Sequence, residues 1–296
     1  MINRIKISIM IITYNRKEEL LRALNSCLKN WKEYLEVVIV DNNSSDNTQI
    51  AVEDYLKKNK VRYKYFYSNK NLGISAGRNK AFELCEGEYV FCLDDDAVIV
   101  TNNFFEKLYE KMSLTDAVAA SVQIYEPATD RQLKGYTYEI NGELRALSYI
   151  GAAHVLKSNF FKGSKLYPDS LIFGSEEYYV AYKIQKDRKK MLYFEDLLVH
   201  HMPSQVARVH GDDRIASIIA NNYIVRKMCY PVVALPILYI LLRMRILKHG
   251  FYRNKYNKLI KEMIKNRYSK EFVNRMSLGA FTEMIRNVGV SQVFWS

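Results

Sequence analysis

Three consecutive carboxylates, Asp94, Asp95 and Asp96, are the residues of this sequence best suited to chemistry. They follow an apolar, β-prone run that ends at Leu93, so a strand would place all three charges at its carboxyl end. Open α/β sheets bind ligands outside the carboxyl ends of their strands. Like charges in contact raise each other's pKa, and a divalent cation relieves that repulsion. Because hard oxygen ligands suit Mg²⁺ or Mn²⁺, the cluster predicts a metal ion that holds a phosphate; an acidic turn capping the next helix is the alternative.

Strand and helix patterns alternate along the first 125 residues. Repeated βα units of this kind predict a parallel sheet with helices on both faces. The predicted strands cover residues 6–13, 35–40, 61–67, 88–93 and 117–124, and the helices cover 17–28, 74–84 and 104–112, with a further helix that starts at 45–46. After residue 126 the pattern changes to a hairpin around Asn141 and Gly142, a helix over 177–186 and strands over 191–194 and 197–200. From Asp212 onward the chain is predicted to be helical.

Polar residues also follow the first three predicted strands. They are Thr13, Tyr14 and Asn15 after the first strand, Asp41 after the second, and Asn71, Gly73 and Arg78 after the third. Loops at the carboxyl edge of one sheet would surround a pocket with a carboxylate, an aromatic face, a cation and a metal, and such a pocket can hold a nucleoside diphosphate. Taken singly, Asp41 could cap a helix, Gly73 could make a turn and Arg78 could lie on the surface.

Two common phosphate-binding sequences are absent from the chain. It contains neither Gly-x-x-x-x-Gly-Lys-[Ser/Thr] nor Gly-x-Gly-x-x-Gly. A P-loop and a Rossmann dinucleotide site are therefore disfavoured.

Four segments together resemble the family-2 glycosyltransferases of the GT-A fold. They are Ile9–Asn15, Val38–Asp46, Asn71–Asn79 and Leu93–Ala97, in the family's order and spacing. The resemblance covers roughly residues 5 to 205. It implies that the base and ribose pocket is lined by Thr13, Tyr14 and Asn15 and that Asp41 bonds the pyrimidine edge. It also implies that Asp96 binds the metal. Further contacts with the nucleotide-sugar are implied for Asn71, Gly73, Arg78, Asp94 and Asp95.

The same resemblance extends to the acceptor side. It makes Glu177 the counterpart of the catalytic base and His201 that of a histidine near the metal. Glu stands at 177 where the family usually has Asp, and Tyr179 replaces an acidic residue, so Glu176 stays open as a rival base. An inverting transfer needs a carboxylate that takes the acceptor's proton and a cation that stabilises the leaving diphosphate. The alternative for Glu176 and Glu177 is a solvated pair in the first turn of a helix, where negative charge interacts favourably with the helix dipole. The alternative for His201 is a buried histidine bonded to backbone.

The positive charge of the chain is concentrated near its C-terminus. The net charge is +12, and most of it follows Arg243. An uncharged stretch, residues 228–242, precedes these basic residues and is shorter than the roughly 20 apolar residues of a spanning helix. Basic residues beside aromatic ones suit an anionic membrane surface, so residues 228–258 predict membrane-surface binding. Packing on the catalytic domain or on a second subunit is the alternative, and nucleic acid is not expected.

The sequence thus predicts an α/β GT-A fold with a mostly parallel central sheet flanked by helices and a C-terminal helical extension. The expected parts are 1–125 for the nucleotide-sugar, 126–208 for the acceptor and catalysis, and 209–296 as the extension. The expected activity is inverting and Mn²⁺- or Mg²⁺-dependent transfer from a UDP- or dTDP-sugar to a saccharide or lipid-linked saccharide in cell-surface polysaccharide synthesis. We expect a cytoplasmic protein, peripheral at the inner face of the plasma membrane. Two other functions stay open, a non-catalytic sugar-nucleotide-binding scaffold and a nucleotidyltransferase.

Overall fold

A computed structural model describes residues 5–171, 174–203, 211–251 and 255–295. The chain divides into two compact units. The sheet unit comprises Met1–Leu166 and Lys190–Arg208, and the helical unit comprises Tyr167–Lys189 and Val209–Ser296. The three-part division expected from the sequence stays a prediction.

The sheet unit is built from apolar strands that alternate with amphipathic helices. Its strands are β1 (Ile7–Thr13), β2 (Leu35–Asp41), β3 (Tyr63–Tyr67), β4 (Tyr89–Leu93), β5 (Ala97–Ile99), β6 (Ala119–Glu126), β7 (Arg131–Leu133), β8 (Thr137–Ile140), β9 (Glu143–Ala146), β10 (Ala153–Lys157) and β11 (Met191–His201). Its helices are α1 (Lys17–Leu28), α2 (Thr48–Lys58), α3 (Gly73–Leu84), α4 (Phe104–Ser113) and α5 (Ser158–Phe161). Strands β2 and β4 are buried along their whole length, as expected for strands covered on both faces.

All these strands form one sheet with the order β3-β2-β1-β4-β10-β6-β11-β9-β8, in which β5 also pairs with β11 and β7 with β6. Strands β3, β2, β1 and β4 run parallel, as do β6 and β11. The predicted GT-A fold with its mostly parallel central sheet is confirmed, as is the hairpin of β8 and β9. Strand β10, absent from the predicted elements, runs antiparallel between β4 and β6. Because of that direction, its first residues lie beside the carboxyl end of β4.

The helical unit contains the helices α6 (Glu176–Lys186), α7 (Gly211–Cys229), α8 (Leu235–Lys248), α9 (Lys255–Arg267), α10 (Leu278–Val288) and α11 (Val290–Trp295). A core of Ala216, Ile219 and Ala220 from α7, Leu242 and Ile246 from α8 and Ile260 from α9 joins three of them. The predicted helical extension is therefore correct for the described residues. Within them, every helix is too short or too polar to cross a bilayer. Residues 252–254, part of the predicted membrane segment, lie outside the described residues.

Candidate active site

Strand register brings the predicted polar residues to one edge of the sheet. Thr13 and Asp41 are the last residues of β1 and β2 and are paired in register. On the other side of β1, Met10 pairs with Cys92, so the residues after β4 lie beside the end of β1. The hydroxyl of Thr13 accordingly donates to Asp95 Oδ2 over 2.8 Å.

Asp94, Asp96 and His201 form a cluster that could hold a metal ion. Each offers a ligand atom, and these atoms lie within 4.8 Å of one another. His201 reaches the cluster because β11 pairs antiparallel with β5, which sets His201 opposite Ala97. Its Nε2 lies 3.3 Å from Asp96 Oδ1. Two carboxylates and one imidazole fit Mn²⁺, and two carboxylates also fit Mg²⁺.

Glu126 fixes the ring orientation of His201. Nδ1 of His201 lies 3.0 Å from Glu126 Oε1, so the opposite nitrogen, Nε2, points at Asp96. Burial lowers the pKa of His201, but the hydrogen bond to Asp96 and the charges of Asp94 and Asp96 outweigh burial, so the net pKa is raised. The site thus favours positive charge at Nε2. A carboxylate behind a ligating histidine is the usual second layer of a metal site.

Asp95 is not one of the three residues of this cluster. It is buried, and besides Thr13 it accepts from Arg16 Nη1 over 2.9 Å. Burial raises the pKa of Asp95 to about 7, with Arg16 opposing that shift and Asp96 adding to it. Arg16 Nη1 also lies 3.3 Å from Asp96 Oδ2. Arg16 therefore links Asp95 to Asp96, which is one of the candidate metal ligands.

Arg78 is buried on α3 and points at the same edge. Its Nη2 donates to Asp94 Oδ1 over 2.7 Å and to the carbonyl of Gly151 over 3.1 Å. A Cβ at Gly151 would lie 3.3 Å from Arg78 Nη1, so a larger residue at this position would press on the guanidinium. The backbone N–H of Asp94 also donates to the carbonyl of Ala152. The turn before β10 thus completes the surroundings of Asp94.

Asp41 and the first βα turn form a second polar group at this edge. Asp41 is buried and accepts from the Ser44 N–H over 2.7 Å and the Tyr65 hydroxyl over 2.6 Å. Asn15 has a positive φ of 52°, its N–H donates to Ser44 Oγ, and its Oδ1 accepts from the Ser45 N–H. Tyr14 is half-exposed between Thr13 and Asn15. The loops after β1 and β2 therefore support each other.

Asn71 and Gly73 shape the turn that leads into α3. The N–H of Gly73 donates to Asn71 Oδ1 over 2.8 Å, and its carbonyl accepts from Asn42 Nδ2. Gly73 has a φ of 76°, a conformation that glycine adopts without steric cost. The structure shows both residues as turn-formers, and their contact with a nucleotide-sugar stays a prediction.

Glu176 and Glu177 are the first residues of α6, in the helical unit. Glu176 is buried and Glu177 half-exposed. The turn before them, Gly174 and Ser175, has positive φ at both residues, 79° and 70°. A left-handed serine is uncommon and needs support from its surroundings.

Helix α7 provides that support. Asn221 Nδ2 donates to the Gly174 carbonyl over 2.9 Å, and Asn222 Nδ2 to Ser175 Oγ over 3.2 Å. Arg267 of α9 donates in turn to Asn221 Oδ1 over 2.9 Å. Polar side chains from two later helices therefore fix where α6 begins.

Sequence reasoning missed Arg16, Glu126 and the asparagines of α7. Arg16 follows Thr13-Tyr14-Asn15 directly, so a cation in a loop facing three carboxylates was a usable signal. Glu126 is the last residue of β6, and the rule that singled out Asp41 at a strand end applies to it equally. Asn221 and Asn222 lie inside a long helix, where no local pattern relates them to residues 174–175.

The profile of the family described as "Glycosyl transferase family 2" matches residues 8–176. A Campylobacter jejuni protein named GalNAc(5)-diNAcBac-PP-undecaprenol beta-1,3-glucosyltransferase is 36% identical over 31% of this chain and 29% of its own length. The putative colanic acid biosynthesis glycosyl transferase WcaA of Escherichia coli is 34% identical over 36% of this chain and 38% of its own. The chain thus matches about a third of each relative's length. The solved structure of GalNAc-T7 with UDP, GalNAc and Mn²⁺ superposes with a TM-score of 0.71 at 16% identity, over 99% of this chain and 58% of that one, which is a likeness of fold.

Proposed function

Because the chain belongs to glycosyl transferase family 2, we propose that it transfers a sugar from a UDP- or dTDP-sugar to a saccharide or lipid-linked saccharide, with inversion at the anomeric carbon. The observation that carries the proposal is the cluster of Asp94, Asp96 and His201 at the carboxyl edge of the sheet. Side chains that can hold a divalent cation lie there beside loops able to take up a nucleoside diphosphate.

Asp96 and His201 would hold Mn²⁺ or Mg²⁺, and Asp94 would face the ribose. When bound, this ion supplies positive charge against which a diphosphate leaves. Glu126 keeps Nε2 of His201 aimed at the site through the 3.0 Å contact with Nδ1. Arg78 bonds the Gly151 carbonyl and keeps Asp94 in place through its hydrogen bond to Asp94 Oδ1.

The loops after β1, β2 and β3 would bind the nucleoside. Tyr14 would offer its half-exposed aromatic ring to the base. Asp41 is proposed to bond the pyrimidine edge from its buried position at the end of β2. The contacts of Asp41 with Ser44 and Tyr65 fix that carboxylate before a ligand arrives. Asp95 acts indirectly, because its carboxylate is bonded to Thr13 and Arg16. We assign it the task of positioning Thr13 and Arg16.

Glu177 is proposed as the base, with Glu176 as its rival. A carboxylate in this role accepts the proton of the acceptor hydroxyl while the oxygen attacks the anomeric carbon from the face opposite the diphosphate. Glu177 is half-exposed, as a group that must meet an acceptor needs to be, whereas Glu176 is buried.

The acceptor is proposed from the relatives' names. One relative is named for an undecaprenol-linked saccharide and another for colanic acid biosynthesis. These names support a lipid-linked or polysaccharide acceptor. We propose, as a separate step, that the chain works at the cytoplasmic face of the membrane.

The proposal is tested by incubating the full chain with UDP- and dTDP-sugars, Mn²⁺ and oligosaccharide or lipid-linked acceptors. We expect release of a nucleoside diphosphate and a product whose anomeric configuration, read by NMR, is inverted. Release of pyrophosphate would point to a nucleotidyltransferase. Nucleotide binding without turnover of any donor would favour the scaffold.

A further inference from the structure

Helix α8 carries apolar residues on two opposite faces. Leu238, Leu241, Leu242 and Ile246 are buried, and two of them, Leu242 and Ile246, pack in the core shared with α7 and α9. A helix that is apolar all round is normally covered on every side. The opposite face of α8 is instead open to solvent.

We call this open side the outward face; it comprises Ile237, Tyr239, Ile240, Met244 and Leu247, together with the valines of the turn Val232–Ala234. These side chains are between 45% and 66% exposed. They are seven of the thirteen large exposed hydrophobics in the described part of the chain, gathered within sixteen residues. A contiguous apolar surface of this kind marks an interaction site rather than chance exposure.

Exposed positive charge follows the outward face along the chain. Lys248 follows it at the end of α8, and Lys255, Lys258 and Lys261 are exposed on α9. Between residues 228 and 267 the sequence contains nine Lys or Arg and a single acidic residue, Glu262. Two copies of this surface facing each other would bring like charges together, whereas an anionic headgroup layer complements them.

We infer that the outward face of α8 docks on an anionic lipid bilayer, with the helix lying in the plane of the interface. Its apolar side chains enter the acyl boundary while the lysines of α8 and α9 meet the headgroups. Tyr239 suits the boundary between headgroups and acyl chains, since its ring is apolar and its hydroxyl can remain hydrated. The inference rests on the proposed function for its purpose, which is to bring the enzyme to the layer that carries a lipid-linked acceptor.

The test measures sedimentation of the full chain with vesicles of phosphatidylcholine alone or mixed with phosphatidylglycerol. The native chain should bind the mixed vesicles more tightly. The double variant Ile240→Glu with Leu247→Glu should lower the partition coefficient by at least about tenfold, because two apolar side chains no longer enter the bilayer. Lys258→Ala should lower it about fivefold, and only for anionic vesicles.

Leu114→Glu is the matched control, because Leu114 is an 81% exposed leucine of the sheet unit. It should bind vesicles like the native chain, and circular dichroism should show native folding for every variant. Undiminished vesicle binding by the double variant would overturn the inference. So would a native chain that ignores all vesicles and forms a dimer that the double variant dissociates in light scattering.

Nucleotide binding measured on the same preparations separates the two proposals. Native UDP binding with Mn²⁺ but no vesicle binding would overturn the docking surface alone. Vesicle binding without binding of any nucleoside diphosphate would overturn the proposed function and leave the docking surface standing.

Discussion

The two groups of proposed catalytic residues are held in different ways. In the sheet unit, Asp96 and His201 are set by strand register, because β5 pairs with β11 and the residues after β4 follow the end of β1. In the helical unit, Glu177 depends on a strained turn at 174–175 that α7 secures with two asparagine amides. Backbone pairing therefore determines one group and side-chain hydrogen bonds the other.

Because the two regions are held differently, substitutions in them should have different effects. Replacing a side chain at the sheet edge removes a function and leaves the surrounding backbone in register. Replacing an asparagine of α7 removes no proposed catalytic group, yet it alters the start of α6. Variants of the two regions should consequently fail in different steps, the first in metal and donor binding and the second in transfer alone.

Asp96→Ala should have the largest effect, because it removes a metal ligand and leaves His201 and Asp94 to hold the ion. We expect transfer to fall on the order of 10⁴-fold and Mn²⁺-dependent UDP binding to disappear. Calorimetry with and without Mn²⁺ measures this directly. Asp116→Ala, at an exposed aspartate paired with Lys190, is the control and should behave like the native chain. Intact Mn²⁺-dependent binding in Asp96→Ala would refute the metal assignment.

Glu177→Gln should lower transfer about 10³-fold with unchanged donor affinity, since it removes the base and keeps the size of the side chain. The measurement pairs single-turnover transfer with UDP calorimetry. Glu176→Gln is the matched comparison on the same turn of α6. If Glu176→Gln is inactive and Glu177→Gln is active, the base is Glu176.

Asn221→Leu should lower transfer about 10²-fold while UDP affinity stays native, because Gly174 loses its hydrogen bond and α6 begins in a displaced position. Ser217→Ala is the control, because Ser217 lies one turn before Asn221 on α7 and accepts from the same Arg267 guanidinium. A parallel loss of UDP affinity and transfer in Asn221→Leu would contradict the separation of the two regions.

Glu126→Gln should have the smallest effect, about tenfold weaker Mn²⁺ binding, because His201 keeps its place in β11 and loses only the carboxylate that orients its ring. Titration of Mn²⁺ followed by electron paramagnetic resonance measures the affinity without any turnover. Glu195→Gln, at an exposed glutamate of the same strand, should bind Mn²⁺ normally. Equal affinities in both variants would remove Glu126 from the site.

Much of the sheet unit could be predicted from the sequence because its signals are local. Continuous apolar runs specified buried strands, and the residues directly after them, such as Asp41 and Asp96, had to share an edge. Strand β10 was not predicted. It lies antiparallel between β4 and β6, and this position depends on pairing with strands that are distant in sequence. Its turn at Gly151 nevertheless completes the surroundings of Arg78.

The helical unit was predictable only in outline. Helical spacing after residue 212 correctly indicated helices, and the glutamates of α6 could be singled out by position. That Asn221 and Asn222 hold the turn before α6 depends on contacts across 47 residues, which no periodicity reveals. The sequence also could not show that one face of α8 is buried and the other exposed. An apolar stretch has the same sequence pattern whether one face or both faces are covered.

The most direct measurement is calorimetry of UDP, dTDP, GDP and CDP binding to the full chain, each with Mn²⁺ and with EDTA. We expect a uridine or thymidine diphosphate to bind with Mn²⁺, and we expect EDTA to abolish this binding. Failure of all four nucleotides to bind in either condition would contradict the proposed donor site at the carboxyl edge of the sheet.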